Sequence, residues 1–572
     1  MNRVKRKLYR DATSKRVRSE KNTAVEYLSN ELFLEIFDYL DAYHIWKAFT
    51  NLNKRFQDLL SSSSLRLKVI MKSNDQSPGC DDQVNCIVQH KHQLASLSLY
   101  DSTFIDQFFQ TITCGSFFQR LESVVLENLK PRDLLPILLK LIRVPRLSLL
   151  MLTVCNGNAI PDFSNAYRLI LGLPMIQYIK LRYLGPTPLL LLRNISDQYS
   201  TLKRLNLDHT CQSADLVYLL SYTPCLSHLR CRTLKPSQQM NEKLAVSVPY
   251  LTYLFLEECD LHFYELEIFI KKLASQLRTF RILRLKDTTY LDHERWERLI
   301  TTHMPYLSHL RLGIHQLMVD SLEITPYHHR IQRFTSQFWA EHRWIFDIRV
   351  VTYNSSQVII SYLIESDKTQ RKSTPDRSDL STTLFLLEQS RSTDYHAGLI
   401  DKLAVLFTLV QIQRLALQYR TTFAGILLDF LRHLPNLKTL QIRSLSLDEP
   451  RYLNDEEKEI YRSISTNNQI KTLYIKEVTE LAQIQFLIDL CSSLRYLSID
   501  NLSNLSMKSV LELILFKNYE RASHLRGLVI NIREPCQRTL MEAQNTVHSD
   551  ERCNKYSISL YAGKYIHIQK RN

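Results

Sequence analysis

The chain has 572 residues, a formal net charge of +15, 45% hydrophobic residues, eleven cysteines and only ten glycines. Its closest glycines, Gly172 and Gly185, stand thirteen apart, so no G-x-G-x-x-G or G-x-x-x-x-G-K loop exists to cradle a phosphate, and nucleotide-binding enzymes built on those loops are excluded. No run approaches the ~18 apolar residues that span a bilayer, no secretory leader is visible, and an odd, irregularly spaced set of cysteines gives no disulfide framework; a soluble protein of the cytoplasm, the nucleus or both is expected.

Residues 1–24 are predicted to form a basic tail. Through residue 21 it carries nine Lys/Arg against Asp11 and Glu20, which is seven of the fifteen net charges, so the body is only mildly basic. The clusters Lys5-Arg6-Lys7 and Lys15-Arg16-Val17-Arg18 fit a loose bipartite nuclear-localisation pattern, with a plain solvated arm as the alternative.

Residues 25–65 are predicted to be a small all-α module that reads as helical throughout. Leu32, Ile36 and Leu40 form one stripe, and Phe33 and Phe37 a second about 100° around the helix. A hairpin of about 35 residues is below the ~40 at which small domains usually stand alone. Its apolar surface must be covered by the rest of the chain or by another protein. The segment resembles an F-box, the motif that docks onto the Skp adaptor of cullin-based ubiquitin ligases. Leu28, Glu31, Leu32, Ile36, Phe37, Tyr39 and Leu40 follow the family's L-P-x-E-L-L-x-x-I-F-x-Y-L opening, and Ile45, Leu52, Asn53, Arg55 and Phe56 follow its later x-N-x-R-F portion. Ser29 stands where the family usually has proline, which bears on the strength of docking. The resemblance covers about 36 residues. It implies adaptor contacts through Leu28, Glu31, Leu32, Ile36, Phe37, Tyr39, Leu40, Ile45, Phe49, Leu52 and Phe56, and the cullin as a partner reached through the adaptor. The alternative is a helical cap on the repeats that follow.

From residue 66 to 312, and again from 401 to 572, where a C-terminal cap is expected to close the series, the pattern L-x-x-L-x-L returns fourteen times, usually 24 to 31 residues apart. It runs from Leu94/Leu97/Leu99 through Phe280/Leu283/Leu285 and Leu307/Leu310/Leu312 to Leu525/Leu528/Ile530. Such a period is the signature of a leucine-rich-repeat solenoid, an α/β fold with a curved parallel sheet and helices on the convex side. Each unit is too small to bury its apolar side except against its neighbours. Pro145, Pro174, Pro224, Pro249, Pro305 and Pro435 stand two residues before the first apolar position, where proline ends a helix and sets extended geometry. Helix-period segments such as 264–273 and 423–431 fill the intervals. Cys155 and Cys259 sit three residues past the last leucine of their repeats, a place for satisfying backbone groups in the turn.

Residues 313–400 break the period and read as an insertion or distorted repeats. They contain Trp339 and Trp344, expected as packed core or a binding rim, a β-like run from Ile345, and a polar loop at 366–381 with a Thr374-Pro375 pair. Cys80, Cys86, His90 and His92 do not match common zinc spacings. No serine elbow or catalytic histidine arrangement is recognisable, so neither an enzyme nor a cofactor is expected.

Side chains alternate along a strand, so residues flanking the later apolar positions are expected on the concave face. They are Lys180, Arg182, Arg204, His228, Arg230, Arg232, Arg284, Lys286, His309 and Arg311, with Asp208 and Glu257 interrupting. Arginine forks suit carboxylate and phosphate oxygens, so an acidic or phosphorylated protein target is expected there, solvation being the plainer use of the same charges. The order of elements resembles the F-box and leucine-rich-repeat family, whose members are substrate receptors of Skp–cullin–F-box ubiquitin ligases. The alternatives are a ligase-independent protein-binding scaffold and an RNA-binding solenoid, the latter opposed by the modest charge of the body.

Overall fold

A computed structural model describes residues 28–72, 87, 90–111, 118–157, 162–185, 199–237, 246, 248–318, 322–352, 358–366, 382–388, 396–447, 455–518, 524–531, 537–549, 556–561 and 565–570. The basic tail, Cys80, Cys86 and the polar loop from 367 lie outside them. The chain divides into two compact units, one of residues 1–189 with 195–202, the other of 190–194 with 203–572.

The first unit opens with three short helices, α1 (Asn30–Phe37), α2 (Ala42–Phe49) and α3 (Lys54–Ser61), where the sequence reads as continuously helical. Capping explains the breaks. Asp41 accepts from Tyr43 N at 2.9 Å and Asn53 from Phe56 N at 3.0 Å, a stop-and-restart chemistry that Asp and Asn side chains favour. Asn51 takes a left-handed φ of 61° between α2 and α3.

Strands β1 (Leu67–Met71), β2 (Leu94–Leu99), β3 (Ser123–Leu129), β4 (Leu149–Val154) and β5 (Tyr178–Tyr183) follow, and each from β1 to β4 pairs in parallel with the next. Helices at Ser102–Thr111, Leu134–Leu141 and Phe163–Leu171 separate β2 to β5. Burial alternates strictly along β4, which places one row of side chains under the helices and the other on an open face.

The second unit continues the theme. Parallel pairing joins β6 (Arg204–Gln212), β7 (His228–Lys235), β8 (Tyr253–Cys259), β9 (Thr279–Leu285) and β10 (His309–Met318). It resumes from β11 (Trp344–Thr352) to β13 (Thr383–Glu388). In the irregular segment β12 (Val358–Ser366) folds back antiparallel between β10 and β11, so the insertion is a hairpin wedged into the sheet. The parallel series then runs through β14 (Arg414–Leu417), β16 (Thr439–Ile442), β18 (Thr472–Ile475), β19 (Tyr496–Ile499) and β20 (Gly527–Asn531), with the two-residue pair β15 (Thr422–Phe423) and β17 (Leu445–Ser446) beside it. β22 (Tyr565–Lys570) closes this sheet antiparallel to β20 and to β21 (Tyr556–Tyr561). The molecule is thus a mixed α/β protein with open, mostly parallel sheets, a form compatible with a repeat solenoid.

The local geometry repeats with the sequence. In four units the proline occupies the second position of a turn closed by the first apolar residue, as in Leu307 N to Met304 O at 3.0 Å across Pro305. The next two N–H groups then share one carbonyl of the unit before. Ser308 and His309 donate to Arg278, Arg278 and Thr279 to Thr252, and Thr252 and Tyr253 to Ser227. These units are hooked to their predecessors by backbone, and the hydroxyls of Thr252 and Ser308 donate to the same carbonyls of Ser227 and Arg278. Cys155 adds a thiol donor to Leu129 O at 3.3 Å. Trp339 and Trp344 are 0% and 2% exposed, so they are core and not rim.

Candidate protein-interaction surfaces

The helical module divides its apolar residues cleanly. Phe33, Phe37 and Phe56 are 1–2% exposed and, with half-buried Phe49, form a cluster whose ring centroids lie 4.9 to 6.2 Å apart. Ile45 is fully buried. Of the residues expected to meet an adaptor, Phe37, Ile45 and Phe56 are therefore the module's own core, and the stripe of phenylalanines that the periodicity sets beside Leu32 and Ile36 points inward.

The other expected contacts face outward. Leu32 is 45% exposed, Ile36 38%, Tyr39 86% and Leu52 52%. Leu28, Leu32, Glu35, Ile36 and Tyr39 line a shallow recess of about 280 Å3. Glu31 is exposed, and Leu28 and Leu40 are half-buried. Ser29 caps α1, accepting from Leu32 N at 3.4 Å, so it supplies an N-cap where proline would preset the turn. Glu31's own backbone N–H and then the Ser29 hydroxyl hold the Glu31 carboxyl below its usual range. Arg55 ties α3 to the start of α1, donating to Asn30 Oδ1 at 2.7 Å and to Leu28 O, with its guanidinium 5.4 Å from the Phe33 ring. The motif positions Asn53, Arg55 and Phe56 are thus spent on holding the module together.

The module also rests on the sheet edge. Asp41 Oδ2 accepts from Ile70 N of β1 at 2.6 Å, and Lys68 of β1 donates to Asp38 O. Gln93, fully buried, donates to Leu60 O and Ser62 O at 2.8 Å each. His90 packs on Trp46 with the rings tilted at 33° and their centroids 4.4 Å apart. Strand β1 was not among the predicted repeats, because its apolar residues alternate as Leu67, Val69 and Met71 without the longer spacing.

On the open face of the second unit most of the expected basic residues are there, but they are answered. Arg230 and Arg284 reach Glu257 at 3.3 and 3.4 Å, Arg232 reaches Asp208 at 3.8 Å, and Lys286 reaches Asp260 at 3.1 Å and Glu258 at 3.8 Å. Arg311 and Arg349 share Glu365 at 3.4 and 3.5 Å. The hydrogen bond that Lys286 donates to Asp260, first, raises its ammonium above its usual pKa. Exposed pairs of this kind contribute only about 0–1 kcal/mol each, yet they cancel the charge that a row of cations would project. The leucine spacing brought only Asp208 and Glu257 into view; Glu258, Asp260 and Glu365 complete the set of partners.

In the second unit three of the expected residues lack such carboxylates among the described residues. His228 stacks on Tyr253 at 5.4 Å, its pKa lowered by burial and then by Arg204. His309 pairs with Ser308 Oγ at 2.9 Å. Arg204 is exposed. Lys180 and Arg182 belong to the first unit, on the outward row of β5. Arg281, which the sequence pattern did not single out, lies outward because Phe280 and Ile282 are both fully buried and alternation sets the residue between them on the open face. In the same repeat Leu283 is only half-buried; the inward set is Phe280, Ile282 and Leu285, not the predicted Phe280/Leu283/Leu285.

Tyr253, Thr279, Arg281, His309, Arg311 and Glu365 line a recess of about 190 Å3 where β9, β10 and β12 adjoin. No helix among the described residues is long and apolar enough to cross a membrane. No protein-family model matches the chain, and no curated protein matches it significantly.

Proposed function

We propose that this protein is the substrate-recognition subunit of a Skp–cullin–F-box ubiquitin ligase, its helical module docking the Skp adaptor and its repeats holding a protein target for ubiquitination. The observation that carries the reading is the two-sided module. A phenylalanine core faces inward while Leu32, Ile36, Tyr39 and Leu52 leave an apolar surface exposed on α1 and the α2–α3 turn. An apolar patch on a small module is an interaction site by default, and these are positions the F-box resemblance assigns to the adaptor. The chemistry of ubiquitin transfer belongs to the partners; this chain would contribute proximity.

A ligase-independent scaffold is the second reading, favoured by the contacts of Asp41 and Gln93 that seat the module on the edge of the first sheet. A cap needs that seating but not an exposed Leu32 and Ile36. The balanced pairs of the open face give little net charge to draw RNA.

Copurification from cells decides between the first two. The intact chain should bring down the Skp adaptor and cullin, and a Leu32→Asp, Ile36→Asp variant of equal thermal stability should bring down neither. Failure of the intact chain to capture either would leave the scaffold reading.

A further inference from the structure

The open face of the second unit is balanced pair by pair. Arg230, Arg232, Arg284 and Lys286 stand among Asp208, Glu257, Glu258 and Asp260. Arg311 and Arg349 stand beside Glu365 and Asp347. Arg281 is left over. Its guanidinium lies 5.2 Å from the Phe255 ring, which Arg230 approaches at 4.8 Å, and no carboxylate among the described residues reaches it. Arg204 is similarly unanswered among the described residues but does not line the recess between β9, β10 and β12, whereas Arg281 does.

The second observation is in the same recess. Arg311 Nε is buried without a hydrogen-bond partner among the described residues, although Glu365 Oε2 is 3.4 Å away. A buried guanidinium N–H without an acceptor is costly and calls for one. Strand register sets Tyr253, Thr279 and His309 side by side and Arg281 directly beside Arg311, so two guanidinium groups, a phenol, a hydroxyl and an imidazole converge on a space of about 190 Å3 that is also lined by the Glu365 carboxylate, itself shared by Arg311 and Arg349.

We propose that this recess binds a single anionic group of the protein target, a phosphoryl or a carboxylate, with Arg281 as its principal ligand and Arg311 as the second. Planar arginine forks match the oxygens of either group. Because the surrounding pairs are neutral, recognition is local to the recess and not spread along a basic row. The inference rests on the repeats holding a target, but it is tested without any ligase component, so its failure and the failure of adaptor docking are separate results.

The test titrates O-phosphoserine, inorganic phosphate and glutamate into the purified full chain, its Arg281→Gln variant and an Arg284→Gln control, with thermal midpoints confirming equal folding. Saturable binding is expected for the unaltered chain and for Arg284→Gln, weakened about tenfold or more by Arg281→Gln, the loss of one charge-assisted pair. Arg281→Lys, which keeps the charge but not the fork, should fall between. Stronger binding of phosphoserine than glutamate identifies a phosphorylated target, and the reverse an acidic one. Equal weakening by Arg281→Gln and Arg284→Gln, or no saturable binding of any of the three anions, would overturn the proposal.

Discussion

Asp347 stands on β11 with 8% of its surface exposed and one carboxylate oxygen without a partner among the described residues. Burial pushes its carboxyl up to about 6, against an ordinary 3.8. A proton held more tightly in the folded state stabilises fully below the unfolded pKa, and that contribution is lost as pH rises through the folded one. Ionised Asp347 is therefore a burden at neutral pH, and Asp347→Asn should raise stability by about 1–3 kcal/mol at pH 7.5, since a tenfold change in proton affinity corresponds to about 1.4 kcal/mol. The gain should vanish near pH 4, as urea unfolding at the two pH values will show. Gly313 poses a steric constraint of the same neighbourhood. A Cβ there would lie 2.5 Å from Leu283 O, and the β9–β10 register slips at this residue. Gly313→Ala should cost about 1–3 kcal/mol, the range for overpacking, read as a lower urea midpoint. Single residues were the least legible part of the chain. Leucine spacing does not disclose which lysines and arginines meet carboxylates, because the partners come from neighbouring strands 16 or more residues away, as for Arg349 and Glu365 or Arg230 and Glu257.

Elements were far more legible. All fourteen apolar triplets lie in or lead into strands, because a buried strand against a helix demands apolar side chains at fixed places whatever the rest of the repeat holds. What escaped lacks that demand. β1 is an edge strand with plain alternation, and β12 is an inserted antiparallel strand with no period to betray it. In the module the periodicity located both stripes of α1 but not which one is buried, since a helix with a wide apolar face satisfies either orientation. The structure makes a sharp contrast between neighbours. Phe37→Ala should unfold the module at a cost of about 3–5 kcal/mol, seen as lost helical signal and early proteolysis in residues 30–61, whereas Leu32→Asp or Ile36→Asp should leave folding intact.

At the scale of the molecule, the first unit joins a small helical module with an exposed apolar patch to a mostly parallel sheet, and the second unit is mostly parallel sheet as well. Nearest-neighbour stacking of this kind presents long open faces with little cost to stability when outward residues change. The balanced charge of one such face and the recess between β9, β10 and β12 suit the local recognition proposed above. Seven of the fifteen net positive charges sit in the first 21 residues, so the basic character of the whole chain says little about that face.

The central claim is that α1 carries a docking surface for the Skp adaptor. Calorimetric titration of the purified adaptor into the purified full chain tests it most directly, with the Leu32→Asp, Ile36→Asp variant alongside. Saturable binding to the unaltered chain and its loss in an equally stable variant is the expected result. No binding to the folded chain, or binding that the two substitutions leave unchanged, would contradict the account.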